Sequence, residues 1–396
     1  MILCRSSSRC VLLLIMTASA SHAQSSDNEF ARRAGTEFPV SAPSIQPRFI
    51  TGQAHVEGLL QLDSFLSNGL VYAPFSALFA EGEARANVNF GSFFSINGLL
   101  RVEQVRDQTS GAVFADEAIY IQRLFGVINV PPLHFYGGKI HPRFGIGWWA
   151  TPGLYGTDFD EDYELVDKIG VGVRWDIGAF GRHRFTAEVF QADTSFLSNS
   201  LIPEAPYGAP GLKRPSHLYL NDGGPSNTGA LESFAFALSG RRVVGIDGFG
   251  YDIGWAKQKA SPYDVRDEYS WVVSTNWLFN LSDTMILQPM AEFVSISGQG
   301  GNDRNVDYLT VAAQLRLGPY WTLGAHTTQR YVRDFATDNY YTDWLAGIAV
   351  AYDLGEWRDR APWLEGLSVI LGYRYNRIFG VESQTVGMQI KYAVDF

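Results

Sequence analysis

The sequence predicts an all-β protein, a transmembrane antiparallel β-barrel of about sixteen strands. Three observations predict it. From about residue 49 to the end, apolar and polar side chains alternate with a period of two. No stretch approaches the roughly eighteen consecutive apolar residues of a membrane-crossing helix. Short connections between the alternating runs take turns with long ones.

At the amino terminus Arg5 and Arg9 precede the apolar run "CVLLLIMTASA", and the small-x-small site "SHA" ends at Ala23. Residues 1–23 therefore read as a cleaved secretory signal peptide, with an apolar core too short to span a bilayer. Cys4 and Cys10 both fall inside it, so the exported chain enters an oxidising compartment without a thiol to pair, and strand pairing and burial must supply its stability. The formal net charge of -10 becomes -12 once Arg5 and Arg9 are removed, an acidic balance that speaks against nucleic-acid binding. Residues 24–48, "QSSDNEFARRAGTEFPVSAPSIQPR", show neither helical nor strand period and read as a disordered periplasmic lead; residues 49–396 are the predicted barrel.

The register of that barrel follows by hand. Val56, Gly58, Leu60 and Leu62 oppose His55, Glu57, Gln61 and Asp63; Leu78, Ala80, Ala84 and Val88 oppose Glu81, Glu83, Arg85 and Asn87. Leu309, Val311 and Leu315 oppose Tyr308, Thr310 and Arg316, and the chain ends with Met388, Ile390, Tyr392, Val394 and Phe396 against Gln389, Lys391 and Asp395. One face is free of charge and the other carries it, as a strand between hydrocarbon and water requires. The links after the second, sixth, tenth and twelfth strands are "GSF", "GAFGRH", "NLSD" and "GP", whereas those after the fifth and seventh span about 143–166 and 194–230. Phe90, Phe93, Phe94, Trp175, Trp277, Phe279, Tyr320 and Trp321 gather at the short-turn ends, where a girdle of rings belongs. The connection "GEWRDRAPWLEG", residues 355–366, is long for that side, and the pattern does not account for it.

Two stretches carry a likeness to a known group. The terminal "KYAVDF", with Tyr392, Val394 and Phe396 on one face, resembles the aromatic-ending signal that the outer-membrane assembly machinery recognises. "YGGKIHPRFG", Tyr136 to Gly145, is similar to the G-K-x-x-x-x-F-G stretch with which many porins enter their third loop. On these residues the chain resembles the Gram-negative bacterial outer-membrane porins of the sixteen-stranded class. The resemblance implies a homotrimer of water-filled channels in the outer membrane, in contact with lipid and lipopolysaccharide, without a cofactor, each narrowed by a third extracellular loop folded into the lumen. By count that loop is "RFGIGWWATPGLYGTDFDEDYELVD". It supplies the constriction acids Asp158, Asp160, Glu161, Asp162 and Glu164, and the rings Trp148, Trp149, Tyr155 and Tyr163. The basic and polar wall positions set against them are Arg85, Arg101, Lys139, Arg174, Arg316, His326, Arg330, Arg374 and Lys391.

A channel needs no nucleophile, only a low barrier set by diameter and by the charge at its narrowest ring. The alternating acids of "DFDEDYE" lack the turn glycine and the distal glutamate of a calcium loop. His55, His134, His141, His183, His217 and His326 show no metal-ligand spacing, and no G-x-S-x-G elbow is present. The expectation is a passive channel, not an enzyme and not a metal site, for ions and small hydrophilic solutes such as sugars, weakly cation-selective. Two other readings fit the same pattern: a dedicated uptake channel for a carbohydrate or metal chelate, and a structural or adhesive barrel whose 194–230 loop binds a partner or clasps neighbouring subunits.

Overall fold

The computed structural model describes residues 49–68, 74–106, 111–202 and 213–396. The expected signal peptide and periplasmic lead, residues 1–48, lie outside them. Sixteen long strands follow one another: β1 (Ile50–Asn68), β2 (Phe75–Phe90), β3 (Phe94–Gln104), β4 (Glu117–Val130), β5 (Leu133–Ile140), β6 (Lys168–Ile177), β7 (Arg182–Ala192) and β8 (Ser233–Arg241) make the first half. The second half is β9 (Phe249–Gln258), β10 (Glu268–Trp277), β11 (Met285–Ser297), β12 (Arg304–Leu317), β13 (Trp321–Asp334), β14 (Asn339–Asp353), β15 (Leu367–Ile378) and β16 (Val381–Asp395). Two short pieces, Ala112–Val113 and Phe279–Ser282, pair beside β2 and β11.

Each long strand pairs antiparallel with the next, and β1 pairs with β16 from His55↔Asp395 onward, so the sheet closes on itself. Closure leaves no edge whose backbone groups would meet hydrocarbon unpaired. The expected strand number and connectivity are those observed.

Side-chain burial runs opposite to that of a soluble sandwich. Along β12, Leu309 and Val311 stand 46% and 49% exposed while Tyr308 and Thr310, one residue away, are buried. Val56, Leu60 and Leu62 of β1 are likewise exposed and Gln61 and Asp63 buried. In water such a surface would cost about 25 cal/mol for each Å² of apolar area, which identifies hydrocarbon as its solvent. Among the described residues no helix is long and apolar enough to cross a membrane; the strands cross instead.

The short turns are tighter than the sequence suggests. "GAFGRH" contracts because Arg182 already pairs with Arg241, and "NLSD" contracts because Phe279–Ser282 pairs with Met285, Ile286 and Leu287. Their rings form the expected girdle: Trp277 stacks on Phe279 at 5.3 Å, and Trp321 meets Tyr352 at 4.6 Å. The unexplained 355–366 connection also finds a reason here. It folds into two short turns, Leu354–Trp357 and Pro362–Leu364, and the Trp357 indole donates to the Tyr352 hydroxyl at 3.0 Å, adding another ring to that girdle.

Candidate functional site

The longest connection of the first half that is described without a gap is residues 141–167, between β5 and β6. Its start is shaped by glycine. Gly145 has a φ of 69°, and a Cβ on Gly147 would fall 2.6 Å from a Glu292 oxygen and 2.7 Å from an Asp160 oxygen. Bare backbone is thus what lets the Ile146 and Gly147 N–H groups donate to Glu292 of β11 at 2.6 and 2.9 Å. Glu292 also accepts from Ser274 at 2.5 Å and from the Tyr163 hydroxyl. Just upstream, Arg143 pairs with Asp252 of β9, and its N–H donates to Glu188 of β7 at 3.2 Å.

The segment then reaches the later strands and β1 through its acids and rings. Asp158 pairs with Arg374 of β15 at 2.5 Å. Asp160 accepts from Thr310 of β12 at 2.7 Å and from Thr151 at 2.9 Å. Asp162 pairs with Arg330 of β13 at 2.7 Å and accepts from the Tyr308 hydroxyl at 3.0 Å. His326 shares its Nδ1 with the Pro152 carbonyl at 3.0 Å, and the Tyr155 hydroxyl donates to Asp63 of β1 at 2.8 Å. Every wall partner lies on the strand face opposite the exposed apolar one. The alternating carboxylates therefore diverge to separate strands instead of converging on a cation.

Burial sorts these acids. Asp160 is fully enclosed, and burial, reinforced by the charge of Glu292, pushes its carboxyl up to about 8. Burial also pushes Glu164 up to about 8, against the pull of Arg101, and holds the neighbouring His141 imidazole, 3.3 Å away, well below its usual range. Glu161 and Asp162 remain exposed. Tyr155 and Tyr163 are buried, while Trp148 and Trp149 are half-buried, Trp148 stacking on His141 at 4.7 Å.

No protein-family model and no curated relative matches this chain. Solved structures do. OmpT of Vibrio cholerae, an outer-membrane protein, superposes with a TM-score of 0.52 at 11% identity, over 88% of this chain and 99% of its own. The outer-membrane channel DcaP of Acinetobacter baumannii gives 0.50 at 13% identity, over 87% and 97%, and OccAB4 of the same organism 0.50 at 8%, over 89% and 99%. The chain has the fold of the sixteen-stranded outer-membrane porins.

Within that porin fold the remaining wall positions differ from one another. Arg85 pairs with Glu83, Arg101 with Glu103 at 2.7 Å, and Lys391 with Glu57 at 2.7 Å. Arg174 is buried with one nitrogen 3.1 Å from Asp176, and Arg316 lies across from Thr322. Lys139 is a correction. Its register partners are Leu124 and Ile169, on the apolar parity of Phe135, and it is completely buried. Asp167 and Asp193 hold its ammonium at 2.7 and 2.9 Å beneath the connection after β7, so it cannot line a water-filled wall.

Arg123 escaped the sequence reading. It lies across from Leu99, which also faces Arg85, but the register slips between Leu99 and Leu100 and breaks the period that would have revealed its face. Asp63, Asp252, Glu292 and the buried Asp343 of β14, which pairs with Arg330 at 2.8 Å, were also missed as partners; each stood on the polar parity, and nothing local says what reaches it. Among the described residues His55, Glu57 and Glu83 bring potential metal-ligand atoms within 4.8 Å, a grouping that linear spacing hid. Lys391 and Arg85 already pair with its two carboxylates.

Proposed function

We propose that the protein is an outer-membrane channel for the passive diffusion of small hydrophilic solutes. One observation carries this reading: a closed sixteen-stranded barrel that turns its apolar residues outward and its charged ones inward, with a long connection bonded to the inward side. In this reading residues 141–167 lie inside the lumen and narrow it. They are gripped by the β9–β15 wall and by β1, and the passage runs past Glu161 and Asp162 toward Glu83, Arg85 and Arg101. The half-buried Trp148 and Trp149 are the rings left to meet a sugar.

Weak cation selectivity follows from the acidic chain, although fewer loop acids support it than the sequence offered. Asp160 is enclosed, the Glu164 side chain is only 9% exposed beside His141, and Asp158 and Asp162 are matched by Arg374 and Arg330. The channel reading carries with it an exported chain, delivery through the C-terminal residues Tyr392, Val394 and Phe396, contact with lipid and lipopolysaccharide, and a homotrimer. Purified protein in planar bilayers should give discrete conductance steps and a reversal potential of cation sign in a salt gradient. A silent protein at all voltages removes the channel; an anion-sign potential removes the selectivity.

A further inference from the structure

At the short-turn end of β6, β7 and β8 the inward face is crowded with guanidinium groups. Register places Arg182 directly across from Arg241, Arg184 across from Asp176 and Ser239, and Arg174 across from Thr186. Asp176 is shared among three bases: Arg174 at 3.1 Å, Arg184 at 3.0 Å and His134 at 3.3 Å. Asp252, the next acid on this face of β9, is engaged by Arg143. The opposite faces of β6 and β8 carry the exposed Val171, Trp175 and Phe236, and the register sets Arg182 and Arg184 of β7 on the same side as Arg241 and Asp176, so the arginines belong to the inside of the barrel.

Like charges directly across a strand pair oppose pairing, and a chain of net charge -10 is an unexpected place to find several together. Such an arrangement is useful where a multiply charged anion is to be held, because planar guanidinium forks match the oxygens of phosphate in pairs. Arg182 is exposed at the rim and Arg241 half-buried, with one Arg241 nitrogen donating to the Gly240 and Tyr251 carbonyls, which fixes its direction. Behind them Thr186 is 5% exposed, and its buried hydroxyl has no hydrogen-bond partner among the described residues, a donor held in reserve beside Arg174.

We propose that the short-turn mouth of the barrel holds an oxyanion site, formed by Arg182, Arg184 and Arg241 with Arg174 and Thr186 behind them, for small phosphate-bearing solutes. Its place at the short-turn mouth puts this basic cluster at one end of the passage, apart from the 141–167 segment. The use of the site in transport rests on the channel reading above; its existence does not.

Inorganic phosphate titrated calorimetrically into the folded chain in detergent, at fixed ionic strength, should bind saturably. R182Q/R241Q should weaken that binding at least tenfold, and R184Q should weaken it severalfold, each variant being checked for a folded barrel by heat-dependent gel mobility. Absence of saturable binding to the unaltered protein, or binding unchanged in a folded variant, overturns the site. In bilayers, phosphate added from the short-turn side should reduce the current at lower concentration than from the other side. Symmetrical block overturns the placement, whereas absence of any conductance strikes the channel reading and leaves the binding result standing.

Discussion

The β9–β15 wall and the β2–β3 wall carry similar residues and use them differently. On the first, charges reach across the chain: Arg374 to Asp158, Arg330 to Asp162, and Glu292 to the backbone of Ile146 and Gly147. On the second they pair two residues apart along one strand, Arg85 with Glu83 and Arg101 with Glu103. A pair within one strand is set as soon as the strand forms, and its loss disturbs little else. A pair between distant segments exists only in the closed barrel and decides where the 141–167 segment sits.

The largest break in this comparison should come from Glu292→Ala, which leaves two buried N–H groups and a serine hydroxyl without their acceptor. With each stranded donor worth about 1–3 kcal/mol, the segment should detach while the barrel persists. Protease should then cut within residues 145–156 of a protein that still shows heat-dependent mobility; full resistance would show that Glu292 does not anchor it.

Next in size is the R330Q/R374Q double variant. It removes two wall cations and frees Asp158 and Asp162, so the cation-to-anion permeability ratio should rise about twofold or more. An unchanged reversal potential would place both pairs away from the conducting path.

Asp160 supplies a smaller, graded effect. In the folded chain its carboxyl keeps a proton to about 8, whereas an unfolded aspartate loses it near about 4. The folded form therefore binds the extra proton between these limits, and attachment of the segment should weaken as pH rises from about 4 to about 8 and then level off. Proteolytic protection of residues 145–156 measured against pH reports this directly, and Asp160→Asn should make the profile shallower, leaving the part that Glu164, raised to a similar value, supplies. A protection that increases with pH would reverse the assignment. The smallest effect is expected from Arg85→Gln, whose same-strand, partly exposed partner should make the stability change no more than about 0.5 kcal/mol in chemical denaturation.

How much was legible varies by scale. Leu309 and Val311 declared the hydrocarbon face and Thr310 the inward one because parity is a local property of the chain. Asp158 and Asp162 were readable as acids of the third long connection, but their neutralisation by Arg374 and Arg330 was not, because no local signal links residues so far apart. Lys139 was misplaced for a related reason: its parity was apolar, and only the connection folded over it made a charge tolerable there. Arg123 was lost where a one-residue slip breaks the period.

By itself the sequence determined the strands, their number, their two faces and the alternation of short and long connections, since each follows from period-two patterning and turn residues within a few positions. Only the tertiary structure decided which acids are buried, which arginines hold the 141–167 segment, and that Arg182 and Arg241 share one rim. Those outcomes depend on contacts between strands distant along the chain, and such contacts exist only once β1 has met β16.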